Sequence, residues 1–138
     1  MNETNFPWST WRTIANAQTM ICVAGGALAM LTPGLLIRML GGTPSPSGTL
    51  FARAFGVGLQ QVALVHHFLR TTKEPGAVRA VAKANLVEDA ILAVVAARAI
   101  KRGTFGAPAW LLVGVFAGEV ALNAWLLRQF QEEPLPAR

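Results

Sequence analysis

Four stretches of this chain are long and apolar enough to cross a hydrocarbon core, and that pattern decides most of what it can fold into. They are residues 11–31, 49–69, 77–100 and 105–127. Each is near the ~20 residues that span a core of about 30 Å. In lipid a helix satisfies its own backbone polar groups, so four helices are the expected spanning form. The third stretch is the least apolar: only 17 residues separate Lys83 from Lys101, and Arg98 is among them. The expected fold is therefore an all-α, integral membrane four-helix bundle with short connectors, forming one domain over residues 1–138.

Composition supports this. The chain is 53% hydrophobic and 14% charged, whereas soluble domains carry about a quarter charged residues. A water-soluble fold this small has too little interior to hide that much apolar surface. Cys22 is the only cysteine, which excludes an internal disulfide framework, a CxxC redox pair and a cysteine-rich zinc site. The net charge of +5 comes from residues that punctuate apolar segments. That pattern suits topology and anionic headgroups, making membrane lipids rather than nucleic acid the expected partners. The opening MNETNFPWSTWR lacks the basic start of a signal peptide, so the first span is expected to be retained.

Breakers mark the connectors. GGTPSPSG (residues 41–48) is turn-rich, and PGLLIRML (residues 33–40) just before it reads as a short interfacial helix with proline in its first turn. Trp8, Trp11, Trp110 and Trp125 all fall near span ends, where indoles prefer to sit. Four spans put both termini on one side, which then carries seven basic residues, Arg138 included, against five on the other. This bias places both termini in the cytoplasm, and the Ala-, Arg- and Val-rich composition points to a bacterial inner membrane.

Of seven acidic residues, Glu88, Asp89 and Glu119 lie within the spans. Ionisable groups there are costly, usually face the bundle interior and are functional candidates. Helical spacing puts Arg53, Gly56, Gln60 and His67 on one stripe of the second span, with His66 pointing elsewhere as an ordinary helix-end residue. It puts Asn85, Glu88 and Asp89 on one face of the third. Glu119 and Asn123 pair on the fourth, and Arg12 and Asn16 on the first. Counted inward from the flanking basic residues at 1.5 Å each, Asn16, His67, Glu88, Asp89 and Asn123 lie roughly 6–9 Å inside the terminal side. Glu119 lies a turn deeper. The expected result is a polar vestibule narrowing into the bundle.

The site expected from this pattern has Glu119, Asp89, Glu88 and His67 as acid–base groups. Gln60, Asn85, Asn123, Asn16 and Arg53 would orient a ligand. The competing reading makes Glu88 and Asp89 interfacial residues paired with Arg79 or Lys83, and Glu119 a structural partner of Gln60 or Asn85. No serine lies within a span, there is no tyrosine, and two adjacent histidines cannot build a haem or di-metal site. No metal or other cofactor is expected. What remains is carboxylate–histidine chemistry. A carboxyl group in a low-dielectric pocket keeps a proton available. It could protonate an alkene or epoxide, assist an isomerisation or cyclisation, or stabilise a cationic amine.

GVFAG, with Gly114 and Gly118 on the fourth span, is a GxxxG element that suits close helix packing, a homodimer or a partner membrane protein. LFARAFGVGLQQ in the second span and NLVED in the third resemble small four-helix membrane families with an R-x-F-G element. One is the ergosterol-biosynthesis scaffold family of the endoplasmic reticulum; others are bacterial four-helix families with an Arg-x-x-Gly element. Arg53, Phe55 and Gly56 match the short motif, and Glu88 falls at an acidic position of the third helix. The first of these resemblances implies a non-enzymatic scaffold. Three functions therefore stand: a pocket that binds or transforms a lipophilic small molecule, a scaffold or accessory subunit, and a small proton-coupled transporter.

Overall fold

A computed structural model describes residues 8–129. Arg138 and the tail over residues 131–138 lie outside the described residues. The described chain is all-helical: α1 (Trp8–Leu31), α2 (Pro33–Met39), α3 (Pro46–Leu69), α4 (Pro75–Lys101) and α5 (Trp110–Gln129), with a 3-10 turn at Ala107–Ala109 before α5.

The starts and stops have local causes. Proline occupies the first turn of α2, α3 and α4, where its missing N–H costs nothing. Ser45 caps α3 by accepting from the Gly48 amide at 3.1 Å. Helices α2 and α4 end on Gly41 (φ +74°) and Gly103 (φ +71°), whose left-handed backbone closes each last turn. At the second of these, Thr104 N–H donates to the Ala99 carbonyl and Gly103 N–H to that of Ile100, both at 2.9 Å. The fourth span begins as a helix later than residue 105, because Gly106 and Pro108 first make the 3-10 turn.

The four long helices run up and down. Helix α1 packs along α3 and α4 along α5, and the two pairs approach each other less closely. They are joined at both ends. At the terminal end Trp11 and Ala15 of α1 meet Val78 and Ala82 of α4 and Leu126 of α5 in a fully buried apolar cluster. At the opposite end the Gly106 amide donates to the Leu40 carbonyl at 2.9 Å. Gly41 and Gly106 approach so closely there that a β-carbon on Gly41 would lie 2.8 Å from the Gly106 Cα.

Large and small residues are distributed inside out relative to a soluble bundle. Buried positions are mostly small, with Ala15, Gly26, Ala29, Gly56, Ala63 and Ala82 inside, while Met20, Leu31, Phe51, Leu64, Phe68 and Leu111 are outside. Three helical segments, Trp8–Leu31, Pro46–Leu69 and Ala107–Gln129, are long and apolar enough to cross a membrane. Helix α4 has the length, at 27 residues, but carries more charge.

Candidate functional site

Between the helix pairs, at mid-height, lies a partly open recess of about 90 Å³. All four long helices line it. Its polar groups are Gln18 and Cys22 of α1, Asn85, Glu88 and Asp89 of α4, and Glu119 of α5. The rest is apolar, including Leu59 and Val62 of α3 and Phe116 of α5. The sequence spacing of Asn85, Glu88 and Asp89 thus brings them to one wall, and Glu119 stands on a neighbouring one. Asp89 is half-buried and Glu88 largely exposed.

Two side-chain hydrogen bonds cross between the pairs at this level. Gln18 Nε2 donates to Glu119 Oε2 at 2.6 Å. The partner of Glu119 is thus Gln18, rather than Gln60 or Asn85. Gln18 is only 7% exposed, and its amide oxygen is buried with no partner. The second bond involves His66. Its Nδ1 lies 2.9 Å from the Val62 carbonyl, which only accepts, so Nδ1 carries the proton. The bare Nε2 then accepts from Asn85 Nδ2 at 3.0 Å. Both nitrogens of a neutral ring are used, and Trp11 covers the ring at 6.2 Å between centroids.

This reverses the expectation for the two histidines. His66 is buried at 1% exposure. His67 is outside, edge-on to Phe68 at 5.6 Å, and is not brought to the recess. On α3 the inward face runs through Gly56, Ala63 and His66, and His67 stands about 100° further round. Helix α1 departs in the same way. Its inward face is Trp11, Ala15, Gln18, Gly26 and Ala29, which turns Asn16 outward. Arg53 is exposed as well. Gln60 bridges α3 to α1 by donating to the Val23 carbonyl at 3.1 Å. Asn123 is buried, but its amide donates at 2.9 Å to the Glu119 backbone carbonyl within its own helix. None of these four lines the recess. The terminal end, expected to be a polar vestibule, is closed by the Trp11 cluster, and the polar group sits below it.

Gln18, Cys22 and His66 are the residues that spacing from the polar markers missed. The signal for Gln18 was its place on the run of small residues between Trp11 and Ala29, not its polarity. The His66–Asn85 bond makes a measurable claim. Unfolding of Asn85→Ala, His66→Ala and the double variant in detergent should give a coupling of about 0.5–2 kcal/mol. Additive losses would mean the contact carries no stability.

No known protein family, curated protein or solved structure matches this chain.

Proposed function

We propose that the chain is a four-span integral membrane protein whose recess binds or transforms a lipophilic small molecule by acid–base chemistry. The observation that carries this reading is the gathering of Glu88, Asp89, Glu119 and the buried Gln18 amide around one space inside otherwise apolar helices. The inside-out distribution of large side chains supports a lipid surround, where close-packed small residues hold helices together. Helix α4 serves as the fourth span. At 27 residues it is about 40 Å long. It exposes Val87, Ile91, Val94 and Val95 outward while Glu88 and Asp89 line the recess. Arg98 and Lys101 near its end reach the interface by their long stems. The weak basic excess favours both termini in the cytoplasm of a bacterial inner membrane.

In this reading Glu119 and Asp89 are the acid and base, Glu88 sets the charge at the mouth, and Asn85 and Gln18 orient the ligand. Isomerisation, cyclisation or epoxide opening needs a proton delivered to one face and removed from another. Two carboxyl groups on neighbouring helices supply both roles. Purified protein should convert members of a panel of lipophilic alkenes and epoxides, followed by mass spectrometry. Glu119→Gln and Asp89→Asn should each lower the rate by about 10²-fold or more while helicity is unchanged. Undiminished conversion by both variants would overturn the assignment.

A scaffold is the second reading, favoured by one observation. Gly114 and Gly118 are on the outside of α5, and a β-carbon at either would meet nothing within 4 Å. The GVFAG face is thus free for a second copy or a partner membrane protein. Gly114→Leu with Gly118→Leu should leave the monomer's unfolding unchanged. Loss of a cross-linked assembly in native membranes would support this reading, and an unchanged cross-linking pattern would count against it.

A further inference from the structure

The recess has an unusual balance of donors and acceptors. Three of the chain's seven acidic residues line it, and none of its lining residues is basic, in a protein of net charge +5. One N–H of each lining amide is in use, that of Gln18 Nε2 on Glu119 and that of Asn85 Nδ2 on His66. Left over are the oxygens of Glu88 and Asp89, the second oxygen of Glu119 and, independently of the acidic cluster, the buried and unpartnered Gln18 Oε1. A glutamine oxygen has no charge to lose by taking up a proton at neutral pH. It requires a donor from elsewhere. A carboxyl group in a low-dielectric setting ionises when a cation is there to compensate it, so the three acids favour a cationic ligand.

Resting on the reading of this recess as a ligand pocket, we propose that its ligand is a lipophilic amine bound as its ammonium ion. The N–H groups of the ion donate to Glu119, Asp89 and the Gln18 amide oxygen, and its apolar body lies against Leu59, Val62 and Phe116. Each part has a counterpart in the recess. The partly open recess of about 90 Å³ has room for a primary ammonium head with part of its apolar body. The rest of the attached chain leaves through the open side. The mostly apolar lining suits an organic cation, and no three His, Cys, Asp or Glu among the described residues are grouped as metal ligands. A neutral alcohol of the same shape brings one donor and no charge, leaving acceptors unpaired.

The test compares 2-phenylethylamine with 2-phenylethanol, which differ only in the ammonium-for-hydroxyl exchange. Binding is measured by calorimetry on protein in phosphatidylcholine nanodiscs, with empty nanodiscs subtracted to remove partitioning. The amine should bind at least about tenfold more tightly than the alcohol. Leu92→Trp, which fills the recess, should abolish its binding. Glu119→Gln and Gln18→Met should each erase most of the preference, and the comparison on unaltered protein needs no variant to fold. Equal binding of amine and alcohol, both blocked by Leu92→Trp, would overturn the cation assignment and leave the lipophilic pocket standing. Amine binding indifferent to Leu92→Trp would place the site elsewhere and overturn this inference. Binding of neither compound would overturn the inference and remove the support for a ligand pocket with it.

Discussion

Trp11→Ala should lower the stability of the folded bundle by about 3–5 kcal/mol, the cost of truncating a fully buried large aromatic side chain. Trp11 is 1% exposed and touches the elements that hold the two helix pairs together at their terminal end. Its Nε1 donates at 3.0 Å to the Leu69 carbonyl at the end of α3, which also accepts from the Thr72 amide at 3.0 Å. Its ring covers His66, and its neighbours Val78, Ala82 and Leu126 come from α4 and α5. Alanine would open a cavity among all four helices and leave the Leu69 carbonyl without that donor. Each helix would survive in lipid, because its backbone bonds are internal. What would fail is the docking of one pair on the other. Unfolding in detergent, followed by circular dichroism and by protease sensitivity of the connectors, should register the loss. Trp11→Phe keeps most of the ring but not the N–H, and should lose roughly 1–3 kcal/mol. A loss below about 1 kcal/mol for Trp11→Ala would mean that the pairs are held together elsewhere.

The same residue explains what was legible in the sequence. Proline and glycine punctuation located the helices to within a few residues, because breakers act locally. The gathering of Asn85, Glu88 and Asp89 followed from spacing on α4, and Glu119 from its isolation in an apolar run. The inward faces of α1 and α3 were not legible in the same way. Polarity was taken there as the mark of the inside, which picked Asn16 and His67. In a bundle with an apolar exterior, size marks the inside better: the buried faces carry Ala15, Gly26, Ala29, Gly56 and Ala63. A polar residue near a helix end faces outward at no great cost, since water and headgroups are within reach. A side chain at mid-height, such as Gln18, has no such escape. The choice between His66 and His67, one residue apart, turned on the rotation of α3 about α1. The closest approach of those two helices is a backbone contact that involves neither histidine.

The contact is Gly26 against Gly56, and Gly56→Leu should have a large effect on both fold and pocket. A β-carbon on Gly56 would stand 2.7 Å from Met30 Cγ, 2.8 Å from the Gly26 carbonyl oxygen and 3.0 Å from the Met30 amide nitrogen. Two of the three are backbone atoms of α1, so no rotamer change relieves the overlap. The helices must separate or rotate. In lipid, close approach of small residues supplies much of the helix–helix attraction, and separation forfeits it. The expected cost is about 3 kcal/mol or more, at the upper end of overpacking. The consequence reaches the recess because α1 supplies Gln18 and Cys22 to it and α3 supplies Leu59 and Val62. Moving the pair apart breaks the wall in which Gln18 reaches Glu119, so binding of the proposed amine should fall with stability. Gly58 provides the control from the same helix. It is exposed, with nothing within 4 Å of an added β-carbon, and Gly58→Leu should change stability by no more than about 0.5 kcal/mol. Comparable losses in both variants would show that leucine is harmful on α3 for reasons unrelated to the α1 contact. A loss confined to Gly56→Leu would identify the glycine crossing as the contact that holds α1 against α3.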